Sequence, residues 1–420
     1  MKMTFCAYDS PKHIGGPNTV LRRLLPALQG QGCEPGALIL RTGGLAEGAT
    51  ASGLKRRQVP VAQTLRPPST EALLGWLLRR LADEPPDVFA PDYVAPAYFA
   101  TRWLRPAGIV AVGTIHGNDP FYDALIDEFV LGDPAYRLDG LVCVSRFVEQ
   151  TVRARIGRRA TTTLVRCIPT GVPLAPRVAS PPEGRLRLAY LGRLAETHKR
   201  ASEVARSICR AAREIDGVEG VIYGDGPSRG FVERILQTEG AGLPVRLAGS
   251  VDNDLVQDRL LECHALVLLS DSEGLPMAVM EAMACGVVPI VLNVPTGALE
   301  LVEHEVTGLL VDDRGDSFVA AVRRLRDEPG LWLRLSRAAR EKIAAEYSTE
   351  RAAAGWAAFA QELRLRAGPR QPLRVPQRFD LPPVRPGLAH LDERALPLHR
   401  GALRQARRVA GYVRRRIRGG

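Results

Sequence analysis

The chain has 420 residues, 45% hydrophobic and 25% charged, with no run of about 18 apolar residues. It is too long for one ordinary domain, too apolar for a disordered chain, and a membrane-spanning helix is excluded. The formal charge of +11 is uneven: residues 367–420 hold 13 Arg, no Lys and three acids (Asp380, Asp392, Glu393), which leaves the body before them near neutral.

The start, Met1 to Asp9, is too soon interrupted for a signal peptide and reads as a first β-strand over Thr4–Tyr8. Thr19–Gln29 follows with helical spacing through Val20, Leu24, Leu25 and Leu28. Further strands are expected at Ala37–Leu40, Val88–Phe89, Ile109–Thr114 and Leu141–Ser145, with helices at 70–82, 121–131 and 146–156. This βαβα rhythm implies a parallel sheet covered on both faces. Pro169, Pro173, Pro176, Pro181 and Pro182 then form a linker. A second series begins at Arg187, with strands near 187–191, 219–223, 245–248, 265–269, 287–292 and 308–311. Its helices lie near 201–214, 228–238, 276–284, 316–327 and 330–346. The expected fold class is therefore α/β, two doubly wound Rossmann-like domains facing across a cleft. Ligands in such sheets bind beyond the carboxyl ends of the strands.

Seven cysteines, at 6, 33, 143, 167, 209, 263 and 285, are widely spaced and include no Cys-x-x-Cys. They read as small buried hydrophobes in a reducing cytosol, with neither a zinc knuckle nor a dithiol site.

The most informative stretch runs from Leu268 to Gly286. A buried strand ends at Ser270, Glu273 sits on the following loop, and Pro276 fits the first position of a helix carrying Glu281. The N–H groups and dipole at that helix start suit a phosphate, so Gly274, Leu275, Pro276 and Met277 join the candidate site. A carboxylate about one and a half turns further on can accept hydrogen bonds from a ribose diol. Arg193 and Lys199, on one strand-to-helix loop, can clamp a diphosphate from two sides. Gly15 and Gly16 open a helix after the first strand, and Gly224-Asp225-Gly226-Pro227 ends another. His116 follows a strand of the first unit, placed to touch a ligand. Asp252-Asn253-Asp254 spells Asp-x-Asp but precedes a helix and reads as an N-cap; no metal site is assigned.

Taken together, these segments resemble the retaining glycosyltransferases of the GT-B fold, in the branch called family 4. The strongest match is Glu273 to Glu281, the family's Glu-x7-Glu motif, followed by Ala282-Met283-Ala284-Cys285-Gly286 and Pro289. Gly192-Arg193-Leu194 with Lys199, Gly224 to Pro227, Val144 to Phe147, Ile168 to Val172 and Gly308 to Val311 add to it. The resemblance covers most of residues 1–366. It implies that Arg193 and Lys199 bind the donor diphosphate, Glu281 the ribose and Glu273 the transferred sugar. It likens His116 to the family's His near the sugar, and Gly15 and Gly16 to its N-terminal glycine loop. Pro17-Asn18 departs from the small residues and acid usual after that pair.

The expectation is a hexosyltransferase of polysaccharide or glycoconjugate biosynthesis. It would be independent of metal or other cofactor, with a nucleotide-diphosphate sugar as donor and a glycan, lipid-linked or other hydroxyl acceptor. Residues 1–172 would form the acceptor-side domain, completed by a helix at 350–366, residues 173–349 the donor domain, and 367–420 an Arg-rich tail. Two alternatives share these features: a nucleotide-sugar epimerase on the same fold, and a protein binding nucleic acid or a partner through the tail. Glu-x7-Glu favours the transferase, and the tail's only aromatics, Phe379 and Tyr412, give little base stacking. Leu403, Ala406, Val409, Val413 and Ile417 form one stripe among arginines over 401–418, a basic amphipathic helix suited to an anionic membrane surface. The expected location is cytoplasmic, with that tail on the cytoplasmic membrane face.

Overall fold

In the computed structural model, residues 1–10, 15–44, 46–383 and 385–388 are described. The first unit runs β1 (Lys2–Asp9), α1 (Gly16–Gln29), β2 (Glu34–Arg41), α2 (Ala49–Arg56), β3 (Val61–Leu65), α3 (Thr70–Asp83) and β4 (Val88–Ala90). It continues through α4 (Thr101–Leu104), β5 (Val110–Ile115), α5 (Pro120–Phe129), β6 (Gly140–Cys143), α6 (Arg146–Ile156) and β7 (Leu164–Cys167). All pairings are parallel, in the order β3-β2-β1-β4-β5-β6-β7. The inner strands are apolar along their whole length because both faces are covered: β5 (Val-Ala-Val-Gly-Thr-Ile) is buried at every residue.

The second unit runs β8 (Leu186–Leu191), α7 (Ala201–Glu214), β9 (Val218–Tyr223), α8 (Arg229–Thr238), β10 (Val245–Gly249), α9 (Val256–Leu261) and β11 (Ala265–Leu268). It closes with α10 (Met277–Ala284), β12 (Val288–Leu292), α11 (Ala298–Leu301), β13 (Leu309–Val311), α12 (Asp316–Asp327) and α13 (Leu331–Glu346). Its strands are also parallel, in the order β10-β9-β8-β11-β12-β13. Strand order reverses between β1 and β4 in one sheet and between β8 and β11 in the other. Those are the points where loops diverge and leave a crevice.

The chain crosses back through α14 (Thr349–Arg366), which is capped by Ser348 and packs on the first unit. The rings of Trp356 and Phe5 meet at 5.4 Å, and Gly140 leaves room for Phe359 and Leu363. The two crossings touch: the Val172 N–H donates to Tyr347 O at 3.0 Å. The described residues of 367–388, the start of the expected Arg-rich tail, run along the first unit. Arg370 pairs with Asp87, the Phe379 and Trp103 rings meet at 5.3 Å, the Tyr136 hydroxyl donates to Asp380 O at 2.9 Å, and Arg385 reaches Glu128 at 2.6 Å. Buried Leu388 ends that strap. The arginine-rich stretch at 401–418 lies outside the described residues.

The elements missed by pattern are β3, β7, α2 and the short helices α4 and α11. β3 (Val-Ala-Gln-Thr-Leu) is half-exposed at the sheet edge, and α2 (Ala-Thr-Ala-Ser-Gly-Leu-Lys-Arg) is short and small-residue rich. Asp9 stabilises α2 from outside, accepting from the Ala51 N–H at 2.9 Å. Both elements are too short for a periodicity to stand out from the loops around them.

Candidate active site

A cleft of about 700 Å³ lies where the two switch points face each other. From the second unit it is lined by Arg193, Lys199, Glu273, Leu275, Pro276, Met277 and Glu281, and from the first by Gly15, Gly16 and His116. Of the residues expected at the site, Gly274 alone is not part of the lining.

Gly274 instead forms the seam between the units. A Cβ there would stand 1.9 Å from His116 O, so the two backbones approach as only glycine allows. Ser145 fastens the same seam: its hydroxyl donates to Gly274 O at 2.7 Å while accepting the Val148 N–H as cap of α6.

β11 delivers the loop 269–276, and α10 follows because Met-Ala-Val-Met-Glu-Ala-Met-Ala combines good helix formers with an all-apolar environment. Pro276 is the N-cap and not the first helical residue. Its ψ of 107° is extended, and its carbonyl accepts from the Val279 and Met280 N–H groups. Among the described residues no side chain caps this end, and the Met277 and Ala278 N–H groups at the cleft have no acceptor. Gly286, at φ +75°, stops the helix.

The Lys199 ammonium donates to Glu273 Oε1 at 2.5 Å, holding both groups at the mouth of the crevice. Asp271 braces this loop against the 192–200 loop. Its N–H donates to His198 O at 2.7 Å and its carboxylate receives Arg200 Nε at 2.5 Å and Arg314. Burial alone would raise the Asp271 pKa, but the hydrogen bonds from Arg200 and Arg314 outweigh it and hold the group below the usual carboxylate range. Arg193 is exposed, and its guanidinium makes no ion pair or hydrogen bond with another described residue. It faces Tyr93, whose phenol is raised first by burial and then by Asp119, with Arg193 opposing.

His116 Nε2 lies 2.8 Å from Asp92 Oδ1. Asp92 is 4% exposed and adopts φ +41°, and its buried Oδ2 has no hydrogen-bond partner among the described residues. Sequence reading missed Asp92, which sits just after β4 at the switch point; that position was its one available signal. Thr170, in the linker, also lines the cleft, with a buried hydroxyl that has no partner among the described residues. Glu281 is paired across the cleft: Arg23 Nη2, on α1, donates to its Oε1 at 2.6 Å. Nothing in the sequence links two residues 258 apart.

In Asp252-Asn253-Asp254, Asp252 caps a 3₁₀ turn as expected of an N-cap, accepting the Asp254 N–H at 3.0 Å. Asn253 and Asp254 turn to α1, where they meet Thr19 at 2.6 Å and Arg22 at 2.8 Å. Among the described residues, no group of three or more His, Cys, Asp or Glu is placed to hold a metal ion. All seven cysteines are free, and burial raises the thiols of Cys6 and Cys143 far above their ordinary value.

This arrangement places positive charge and free N–H groups at one wall and carboxylates for hydroxyls beside them. Two family models match it in adjoining stretches, Glycosyltransferase Family 4 over residues 14–175 and Glycosyl transferases group 1 over residues 174–342. The chain is 26% identical over 323 residues to a GDP-mannose-dependent alpha-(1-6)-phosphatidylinositol monomannoside mannosyltransferase of Mycobacterium tuberculosis. That match covers 71% of this chain and 83% of the relative. It is 23% identical over 229 residues to an exopolysaccharide phosphotransferase of Streptomyces coelicolor, covering 54% of this chain but only 24% of that much longer protein. The Anabaena protein HepE, solved in complex with UDP, superposes with a TM-score of 0.67 at 16% identity, over 86% of this chain and 100% of that one.

Proposed function

We propose that this chain, a two-domain glycosyltransferase of the GT-B fold and family 4 type, moves a hexosyl group from a nucleoside-diphosphate sugar to a carbohydrate or lipid-linked hydroxyl, with retention at the anomeric carbon. One observation carries this reading: cations, a free helix end and two carboxylates converge at the switch point of the second sheet, opposite His116, Gly15 and Gly16. The difficult step is departure of a nucleoside diphosphate from an oxocarbenium-like sugar. Arg193, Lys199 and the N–H groups at the start of α10 are aimed at the charge that grows on the leaving group. Lys199 also orients Glu273, whose second oxygen is left to accept from sugar hydroxyls. Glu281 takes the ribose. In this reading the protein's own cations do the work a divalent metal does elsewhere.

Two relatives support the substrate classes: the Anabaena neighbour holds UDP, and the mycobacterial relative is named for a GDP-mannose donor and a lipid-borne acceptor. The basic stretch 401–418 would then rest on anionic lipid beside such an acceptor. Co-sedimentation of full-length protein and a 1–388 truncation with anionic vesicles tests that part: equal sedimentation refutes it.

The transferase reading is tested by screening UDP-, GDP- and ADP-sugars for thermal protection, then following transfer by NMR. A ligand at 100 times its dissociation constant adds about 2.7 kcal/mol to stability. An α-linked product from an α-linked donor is expected. Interconversion of the free nucleotide sugar without transfer would point to an epimerase and overturn the proposal.

A further inference from the structure

Helix α1 presents Thr19, Arg22 and Arg23 to the second unit at i, i+3 and i+4 spacing. A pair of arginines on a surface helix is normally solvated, yet Arg22 is 4% exposed and the Arg23 side chain 12%. Arg23 meets Glu281, whose side chain is 7% exposed, at 2.6 Å. Among the described residues Glu281 receives no other hydrogen bond, so Oε2 is open, and Arg23 Nη1 is buried with no partner. The pair therefore holds one open acceptor and one open buried donor. Glu281 lines the cleft, and Arg23 lines an adjoining cavity of about 280 Å³ that shares Thr19 and Asn253 with it.

We propose that Arg23 is a positioning residue for nucleotide recognition, supplied by the opposite domain, which makes Glu281 competent to bind the ribose diol. The inference rests on the ribose role given to Glu281 above. By bonding Oε1, Arg23 fixes the carboxylate's rotation, leaving Oε2 to accept from one hydroxyl while Nη1 gains a ribose oxygen as the partner it lacks. Because the arginine belongs to the first unit and the glutamate to the second, the ribose subsite is complete only when the two units are together.

The test compares UDP, GDP and ADP with their 2′,3′-dideoxy counterparts by calorimetric titration. The proteins are wild type, Arg23→Met, Arg23→Lys and Glu281→Ala, each checked for an unchanged circular-dichroism spectrum. Wild type should prefer the ribose form by about tenfold or more. Arg23→Met should lose most of that preference while its affinity for the dideoxy form changes little, and Arg23→Lys should recover part of it. A merely structural arginine would lower both affinities together and leave their ratio unchanged; that outcome overturns the proposal. If Glu281→Ala abolishes the preference and both Arg23 variants keep it, Glu281 binds the ribose unaided and only the role of Arg23 falls. If Glu281→Ala itself keeps the preference, the ribose assignment falls, and the proposal with it.

Discussion

Gly274→Ala is the smallest substitution that should disable the enzyme while leaving its two cores alone. The added Cβ would lie 1.9 Å from His116 O and 3.0 Å from Gly117 Cα, both backbone atoms that no rotamer can move. Real Cβ atoms keep at least about 3.0 Å, so the loop bearing Glu273 and the loop bearing His116 must part by about 1 Å. Within a packed core such an overlap costs about 1–3 kcal/mol. Here the contact is at the seam between units, which can relieve it by opening, so the melting temperature should fall little. The Ser145–Gly274 hydrogen bond at 2.7 Å would be stretched, and the loops carrying Glu273 and His116, proposed to face one donor sugar, would shift apart. A misplacement of this size should lower kcat by roughly 10²-fold. Gly297→Ala presses on the same loop from inside the second unit, 1.7 Å from Gly274 O, and should act in the same direction. Gly230→Ala has nothing within 4 Å and serves as the neutral control. Initial rates at saturating donor, with melting curves alongside, decide the matter. Wild-type kcat in Gly274→Ala would refute the claim that this seam sets the site's geometry.

Glu281→Ala should raise the donor KM by an amount equivalent to about 1.5–3 kcal/mol, whereas Glu273→Ala should lower kcat more than it raises KM; full transfer kinetics of both variants check the division. Activity should persist in EDTA and collapse in Arg193→Ala or Lys199→Ala, and loss in EDTA restored by magnesium or manganese would count against the cation clamp. His264 Nδ1 accepts the Arg187 N–H at 2.8 Å, and burial first, then Arg187, lowers its pKa. Below the ordinary histidine range the unfolded chain takes up a proton that the folded chain refuses, so stability should fall as pH drops from about 6.5 toward the lowered value. Melting curves of wild type and His264→Gln across that interval should differ in slope.

What could be read from the sequence follows how local each feature is. The inner strands of both sheets announce themselves because a parallel strand covered on two faces must be apolar throughout, as in Val288–Leu292. Arg193, Lys199, Glu273 and Glu281 lie on loops and a helix directly after strands of one unit, so spacing alone brings them near one crevice. Arg23, Asp92 and Ser145 were not legible, since each acts on a partner far away in the chain. The strap at 367–388 was legible only as part of an Arg-rich tail, for a related reason. Its prolines forbid regular structure, which composition cannot tell from looseness, yet Phe379, Asp380 and Arg385 each find a fixed contact on the first unit.

The position of the two chain crossings explains why the cleft's own contacts matter so much. Residues 171–173 and 347–349 are bound to each other, with Gly171 so close to Ser348 that a Cβ would stand 2.4 Å from its carbonyl oxygen. This fixed double crossing joins the units, while polar contacts border the cleft, among them Arg23 with Glu281, Arg22 with Asp254, Asn253 with Thr19, Ser145 with Gly274, and Ser272 with Asn118 at 2.8 Å. Polar groups of this kind exchange a partner for water more readily than packed apolar surface does, so these contacts, and not the double crossing, are where the two units can part. If the donor binds as proposed, Gly274 against His116 and Glu281 against Arg23 are the contacts whose geometry it must find intact.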